Sequence, residues 1–226
     1  MHSSAPNTKF LGIALLLVMF TSLHVNGQYS AYEWEERDEW MDVSRIMQMA
    51  GVDKGQTVAD IGCHEGYISM YLAEAVGPTG QVLAEDISNY RLERLQDHAK
   101  KRDLTNIRTI LGTEADPMLP AKTVDIVFVI DAYHEMKKPK AMLLHFRNSL
   151  KPGGKIVILE KLKQHVRNKS RKDQTSAHSL GPDIVRKELE SAGFKVIKEA
   201  LDLGDWENNP KKKIWCLVGE YESTEP

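Results

Sequence analysis

Apolar positions along this chain switch repeatedly between two spacings. Thr57 to Gly62 is a short β-branched run ending in glycine. Gln81 to Ile87, Ile107 to Leu111, Val124 to Ile130 and Lys155 to Leu159 repeat the strand pattern. Between them the spacing lengthens to that of a helix. Ile68, Leu72, Ala75 and Val76 share one face of Tyr67 to Val76, and Leu92, Leu95 and Ala99 one face of Asn89 to Arg102. Met142, Phe146 and Leu150 recur within Pro139 to Leu150. Gly77 to Gly80 and Lys151 to Gly154 read as turns, and Pro182 suits the first turn of a helix running to Ala192. Val124 to Ile130 is the most continuous apolar run, which predicts a central strand covered on both faces. Phe194 to Ala200 and Lys213 to Val218 have no helix between them and predict a closing hairpin. Strands alternating with helices imply an α/β, doubly wound, mostly parallel sheet with helices on both faces.

Two segments precede this pattern. Ala31 to Gly51 predicts a helix whose acidic start (Glu33, Glu35, Glu36, Asp38, Glu39) reads as a solvated N-terminal turn. Met1 to Gly27 has no acidic residue and carries the apolar core Leu11 to Phe20. That core is about half the length a membrane-spanning helix needs and suits a secretory signal cleaved before Gln28. The alternative is an uncleaved anchor, the chain's one route to a membrane. The expected organisation is a leader over 1–27, a helical segment over 28–51 and a domain over 52–226, exported to a bacterial periplasm or envelope.

The 226 residues include 30 Lys and Arg against 32 Asp and Glu, a net charge of −2. This balance gives no general pull toward nucleic acid or anionic lipid. Cys63 and Cys216 are the only cysteines, too few for a disulfide framework or a four-thiolate zinc site, and a bridge between them is not expected.

The chemistry-bearing motif is the turn after the first strand, Asp60-Ile61-Gly62-Cys63-His64-Glu65-Gly66-Tyr67. Ligands of doubly wound folds bind where this strand meets its helix. A dinucleotide fingerprint G-x-G-x-x-G started at Gly62 meets His64 and Tyr67 where glycines belong, which disfavours a nicotinamide oxidoreductase. The pattern D-x-G-x-G-x-G fits at Asp60, Gly62 and Gly66 and departs at His64.

Four stretches in order, Val58 to Tyr67, Gly80 to Ile87, Val124 to Glu135 and Leu150 to Lys155, make Val52 to Tyr221 similar to the class I S-adenosylmethionine-dependent methyltransferases. The resemblance implies a Rossmann-like seven-stranded sheet with an antiparallel last strand, S-adenosyl-L-methionine as cofactor and methyl transfer as activity. It places the Gly62 and Gly66 backbone beside the methionine part, Asp60 near its ammonium, and Asp86 on the ribose hydroxyls. Thr113 and Glu114 fall near the adenine, and Cys63, His64, Tyr67, Ile87 and Asp131 complete the cofactor set. Asp86 has an alternative role as a helix cap, for which Ser88 is the better candidate. Glu85 stands where the family has an apolar residue. His64 has three readings: an imidazole tolerated on a left-handed backbone, which is favoured, a direct contact to the cofactor carboxylate, or a degraded site.

For the transfer itself, the end of the fourth strand offers His134 as general base and Tyr133 as acceptor-pocket lining, with Asp131 and Glu135 alongside. Alternatively His134 and Glu135 cap the next helix. The basic run from Lys161 to Lys172 suggests a lid for an anionic small-molecule acceptor, or a solvated loop. Metal-dependent catechol-type relatives carry carboxylates near Asp131 and Glu160, but two carboxylates make a poor magnesium site and no metal is assigned. A non-catalytic cofactor- or nucleotide-binding module on the same fold is the competing function.

Overall fold

The computed structural model describes residues 34–221, so the leader assigned to 1–27 lies outside the described residues. Seven strands form one sheet: β1 (Thr57–Ile61), β2 (Gln81–Asp86), β3 (Ile107–Leu111), β4 (Val124–Ile130), β5 (Leu150–Lys163), β6 (Phe194–Ala200) and β7 (Lys212–Tyr221). Their spatial order is β3-β2-β1-β4-β5-β7-β6, with β7 antiparallel to both neighbours and the other pairings parallel. This is the doubly wound sheet that the alternation implied. The chain winds from β1 outward through β2 and β3, then returns to lay β4 on the other side of β1. That reversal opens a crevice at the carboxyl ends of β1 and β4.

The helices are α1 (Trp34–Asp38), α2 (Val43–Ala50), α3 (Tyr67–Val76), α4 (Asn89–Lys101), α5 (Pro139–Ser149), α6 (Arg171–Ser176) and α7 (Pro182–Ser191). β4 shows how the layers divide. Ile126, Phe128 and Ile130 enter the core shared with Leu72 and Leu95, while Val127 and Val129 enter the opposite core with Leu143 and Phe146. Strand side chains alternate between faces, so one unbroken apolar run serves two layers. Each fully buried Leu, Ile or Phe contributes about 1.5–3 kcal/mol, which makes this strand the thermodynamic centre of the domain.

Several regions differ from the sequence pattern: β5 begins at Leu150 and takes in the expected turn Lys151 to Gly154, and α6 forms within a segment read as a lid or loop. The segment expected as one helix over Ala31–Gly51 is broken at 39–42. Asp42 accepts the Arg45 N–H at 2.9 Å and starts α2 afresh, and Gly51 closes it at φ 72°. Along α1, Glu35 and Glu36 are exposed as expected, but Trp34 and Arg37 are buried. Strand β5 runs on to Lys163, beyond the expected Leu159, because β7 pairs with it as far as Lys163↔Lys212. Charge marked the end of the strand in the sequence, whereas backbone pairing sets it in the fold.

Candidate functional site

The turn from β1 into α3 is held open by backbone conformation. Gly62, His64 and Gly66 all have positive φ, at 67°, 52° and 92°. At Gly66 a Cβ would stand 2.6 Å from Leu95 Cγ, so only glycine fits. His64 tolerates the left-handed backbone, and its N–H donates to Asp86 Oδ2 at 3.0 Å. Burial, with Arg91 nearby, pushes its imidazole down to about 4, so the ring is neutral at neutral pH.

Below this turn lies the narrow end of the crevice, about 10 Å³, lined by Asp60, Cys63, His64, Tyr67 and Arg37. Asp60 is 2% exposed and accepts the Ser69 hydroxyl at 2.6 Å. Burial raises its carboxyl to about 6 against the opposing pull of Ser69 and Arg37. Arg37 reaches in from α1 with its guanidinium 4.4 Å from the Tyr67 ring centre, and the Tyr67 hydroxyl donates to Asp38 at 2.6 Å. The sequence reading missed Arg37. The signal was present as Trp34, Arg37 and Trp40, three residues apart and all buried, the first two on α1 and Trp40 just past its end.

The wide end is a cavity of about 250 Å³ between the ends of β2 and β4. Asp86, Ile87, Thr113 and Glu114 line it together with Ala132, Met136 and Met142. Asp86 is 3% exposed. Besides the His64 N–H on Oδ2, it takes the Ser88 N–H on Oδ1 at 2.9 Å. Ser88 occupies the cap position of α4 but makes no side-chain cap bond. Thr113 Oγ1 accepts the Asp116 N–H at 3.0 Å and shapes its loop, while Glu114 pairs with Lys137. Glu85 is buried beside them, and its Oε2 accepts the Gly62 N–H at 3.4 Å. A Cβ on Gly112 would fall 1.8 Å from Glu85 Oε1, so this acid requires a glycine opposite it. Burial lifts the Glu85 carboxyl to about 8, which keeps it neutral at pH 7 beside Asp86 and Asp60.

Beyond β4, His134 is buried on a short 3₁₀ turn (Tyr133–Glu135). Its Nδ1 stands 2.8 and 3.0 Å from the two oxygens of the fully buried Glu160, which also accepts the His134 N–H at 2.9 Å. Burial pulls the imidazole pKa down, but Glu160 and Asp131 outweigh it and the net direction is up. In the neutral ring, with Nδ1 donating to Glu160, Nε2 carries the lone pair; Nε2 lies 3.9 Å from Glu135.

Other predicted site residues are placed differently. The Asp131 carboxylate holds the Lys161 ammonium and flanks His134 instead of lining the crevice. Tyr133, expected to line an acceptor pocket, is fully buried, with its hydroxyl donating to Glu188 Oε2 at 2.9 Å. A phenol with a satisfied hydrogen bond in an apolar layer contributes packing there. His134 and Glu135 do not cap α5, since Lys138 occupies its N-terminal position without a cap bond. The basic run is no open loop either. Lys161 is buried against Asp131 and 4.4 Å from the Trp206 ring centre, Arg171 Nε holds Glu188 Oε1 at 2.8 Å, and Lys163 Nζ donates to the Ala177 carbonyl. Arg167, Lys169 and Lys172 remain exposed. Asp131 and Glu160, the two acids weighed for a metal, are both engaged by donors of the protein. Cys63 and Cys216 are buried free thiols.

A family model described as a methyltransferase domain matches residues 52–193. The chain belongs to that family. Its methyltransferase relatives include a demethylmenaquinone methyltransferase of Geobacillus, 29% identical over 137 residues, which are 61% of this chain and 58% of the relative. A ubiquinone/menaquinone biosynthesis C-methyltransferase of Cupriavidus taiwanensis is 32% identical over 49% of this chain and 45% of its own. The chain therefore spans about half the length of these curated relatives. Among solved structures, a SAM-dependent methyltransferase from Aquifex aeolicus superposes with a TM-score of 0.70 at 23% identity, over 85% of this chain and 99% of its own. Phosphoethanolamine N-methyltransferase 2 of Haemonchus contortus, solved with S-adenosyl-L-methionine, gives 0.65 at 15% identity over 80% of this chain and 52% of its own. These likenesses show the fold.

The family's cofactor is S-adenosylmethionine, and the residues of this methyltransferase domain fit it. The narrow end faces an acid, Asp60, with a guanidinium, Arg37, which matches the ammonium and carboxylate of an amino acid. The wide end offers a buried carboxylate, Asp86, between apolar walls, which matches a nucleoside.

Proposed function

We propose that this chain transfers the methyl group of S-adenosylmethionine to a small-molecule acceptor held at the outer face of His134. The observation that carries the reading is the buried His134–Glu160 pair, whose neighbour Glu135 forms part of the wall of the wide cavity. Asp60 and Arg37 take the amino-acid part of the cofactor, Asp86 the ribose, and Ile87 with the Thr113–Glu114 loop the base. The bound cofactor supplies the methyl group as a sulfonium electrophile.

The protein's own part is orientation and proton transfer. Glu160 holds the Nδ1 proton of His134, so the Nε2 lone pair points outward to an acceptor hydroxyl. Burial of the pair keeps water from competing for that lone pair. Glu160 is a positioning residue, acting through His134. The relatives' names, demethylmenaquinone and ubiquinone/menaquinone biosynthesis, support a quinol-type aromatic acceptor. Such an acceptor becomes nucleophilic when its ring hydroxyl loses a proton.

The test is to incubate the full chain with S-adenosylmethionine and a demethylmenaquinol, and to measure S-adenosylhomocysteine. Product is expected, and His134→Ala lowers its rate by about 100-fold or more. Tight S-adenosylhomocysteine binding with no turnover on quinols or on simpler phenols and amines would replace this reading by that of a non-catalytic cofactor-binding module.

A further inference from the structure

The outer face of His134 meets two other metal-ligating side chains. One nitrogen or oxygen atom from each of His134, Glu135 and His178 lies within 4.8 Å of the others. The three come from separate parts of the fold. His134 and Glu135 follow β4, while His178 follows α6 and is held at φ 48°. The two imidazoles meet edge to face, with ring centres 5.8 Å apart and planes at 88°. Behind His134, Nδ1 is bound to the buried Glu160, so the nitrogen presented to the triad is an oriented lone-pair donor. A histidine backed in this way by a carboxylate is the arrangement that fixes tautomer and ring at metal centres. His178 Nδ1 is buried and makes no hydrogen bond among the described residues.

The deeper set Asp131, His134 and Glu160 also clusters, but its charges are already compensated inside the fold. Lys161 neutralises Asp131, and two N–H groups of His134 occupy Glu160. Among the described residues no Lys or Arg pairs with Glu135 of the outer set. Glu135 is half exposed and is the one acid in it.

We propose that His134, Glu135 and His178 bind one divalent transition-metal ion, of the class shared by imidazole and carboxylate ligands such as zinc or manganese, with Glu160 as the carboxylate behind His134. Ligand atoms around a tetrahedral ion stand roughly 3.3 Å apart for bonds of about 2 Å, so closing the site from separations within 4.8 Å takes rotation of the half-exposed Glu135 and of the His178 ring. Two imidazoles and one carboxylate leave at least one position open to solvent or to an acceptor oxygen. The proposal shares His134 with the functional reading above: in the metal-loaded protein Nε2 is a ligand, and an acceptor hydroxyl is polarised by the ion in place of the imidazole. Metal binding itself does not depend on that reading.

The experiment titrates the full chain, without cofactor or acceptor, with zinc and with manganese by calorimetry, and with cobalt(II) by visible absorption. One ion per chain and cobalt absorption bands of a nitrogen- and oxygen-bound site are expected. His178→Asn keeps a residue that tolerates the left-handed backbone, and it weakens binding at least tenfold while the circular dichroism spectrum stays unchanged. Glu160→Gln, which touches no metal, weakens it by about 10- to 100-fold. Absence of binding to the wild-type chain, or equal affinity in His178→Asn, overturns the proposal. Because no methyl transfer is measured, failure of the functional reading shows only in the quinol assay.

Discussion

The two ends of the crevice are built on neighbouring strand ends and solve opposite problems. The narrow end, about 10 Å³, sets an acid against a guanidinium and is roofed by α1. The wide end, about 250 Å³, collects Glu85 and Asp86 on one strand end, with Arg91 3.8 Å from Asp86 as its cation. At the narrow end burial raises the Asp60 carboxyl to about 6 against the pull of Ser69 and Arg37, and at the wide end burial lifts Glu85 to about 8, which holds it neutral near pH 7. Under the proposed function, the difference teaches that the zwitterion's end draws its guanidinium, Arg37, from a distant segment, whereas the nucleoside's end is made from adjacent loops.

The comparison breaks most severely if the shared hinge is removed. Gly66→Val puts side-chain atoms into Leu95 and Met70 and forces a branched residue to φ 92°. It should destabilise the domain by about 3 kcal/mol, from overpacking plus left-handed strain, and abolish cofactor binding at both ends. Denaturant midpoint and calorimetry check this, and an unchanged midpoint would mean the turn is looser than drawn.

The next effect separates the two ends. Arg37→Ala should weaken S-adenosylhomocysteine binding by about 10- to 100-fold, the worth of a charged hydrogen bond, and leave methylthioadenosine, which lacks the amino-acid part, unchanged. Asp86→Ala should weaken both ligands. Equal losses for both ligands in Arg37→Ala would refute the assignment of the ends.

A third test uses pH. Asp60 sits at about 6 in the free protein, facing Arg37 and Asp86. The ammonium of the ligand favours the ionised carboxylate, so binding below pH 6 must first remove a proton. Affinity for S-adenosylhomocysteine should therefore fall about tenfold per pH unit below 6 and stay level just above it. Asp60→Asn should flatten the profile, and methylthioadenosine should show no such slope.

The smallest expected change is that of His64→Gly. Relief of left-handed strain, about 1–2 kcal/mol, is offset by glycine's entropy in the unfolded chain. Affinity should shift less than threefold. A gain of tenfold or more would show that the imidazole obstructs the methionine part.

Much of this site was legible because its residues are local to strand ends. Asp60, Gly62, Gly66 and Asp86 are each fixed by their own turn, so spacing in the chain is spacing in the crevice. Glu85 was visible as an oddity, but its purpose was not. The answer lies at Gly112, on the loop after the neighbouring strand. Tyr133 was misplaced for a related reason: an aromatic residue at a strand end reads equally as pocket lining or as core, and only α7, carrying Glu188, decided for the core. The basic run looked like a free lid because its acids, Asp131 and Glu188, are supplied by other elements.

By itself the sequence determined the order of the seven strands, the buried central strand and the glycine turn, since periodicity and backbone freedom are properties of neighbours along the chain. The tertiary structure alone decided that Arg37 faces Asp60, that Glu160 stands behind His134 and that His178 comes to its front. Those pairings join residues 23, 26 and 44 positions apart in the chain. No local rule of hydrophobic spacing carries information about which charges will meet once the layers close.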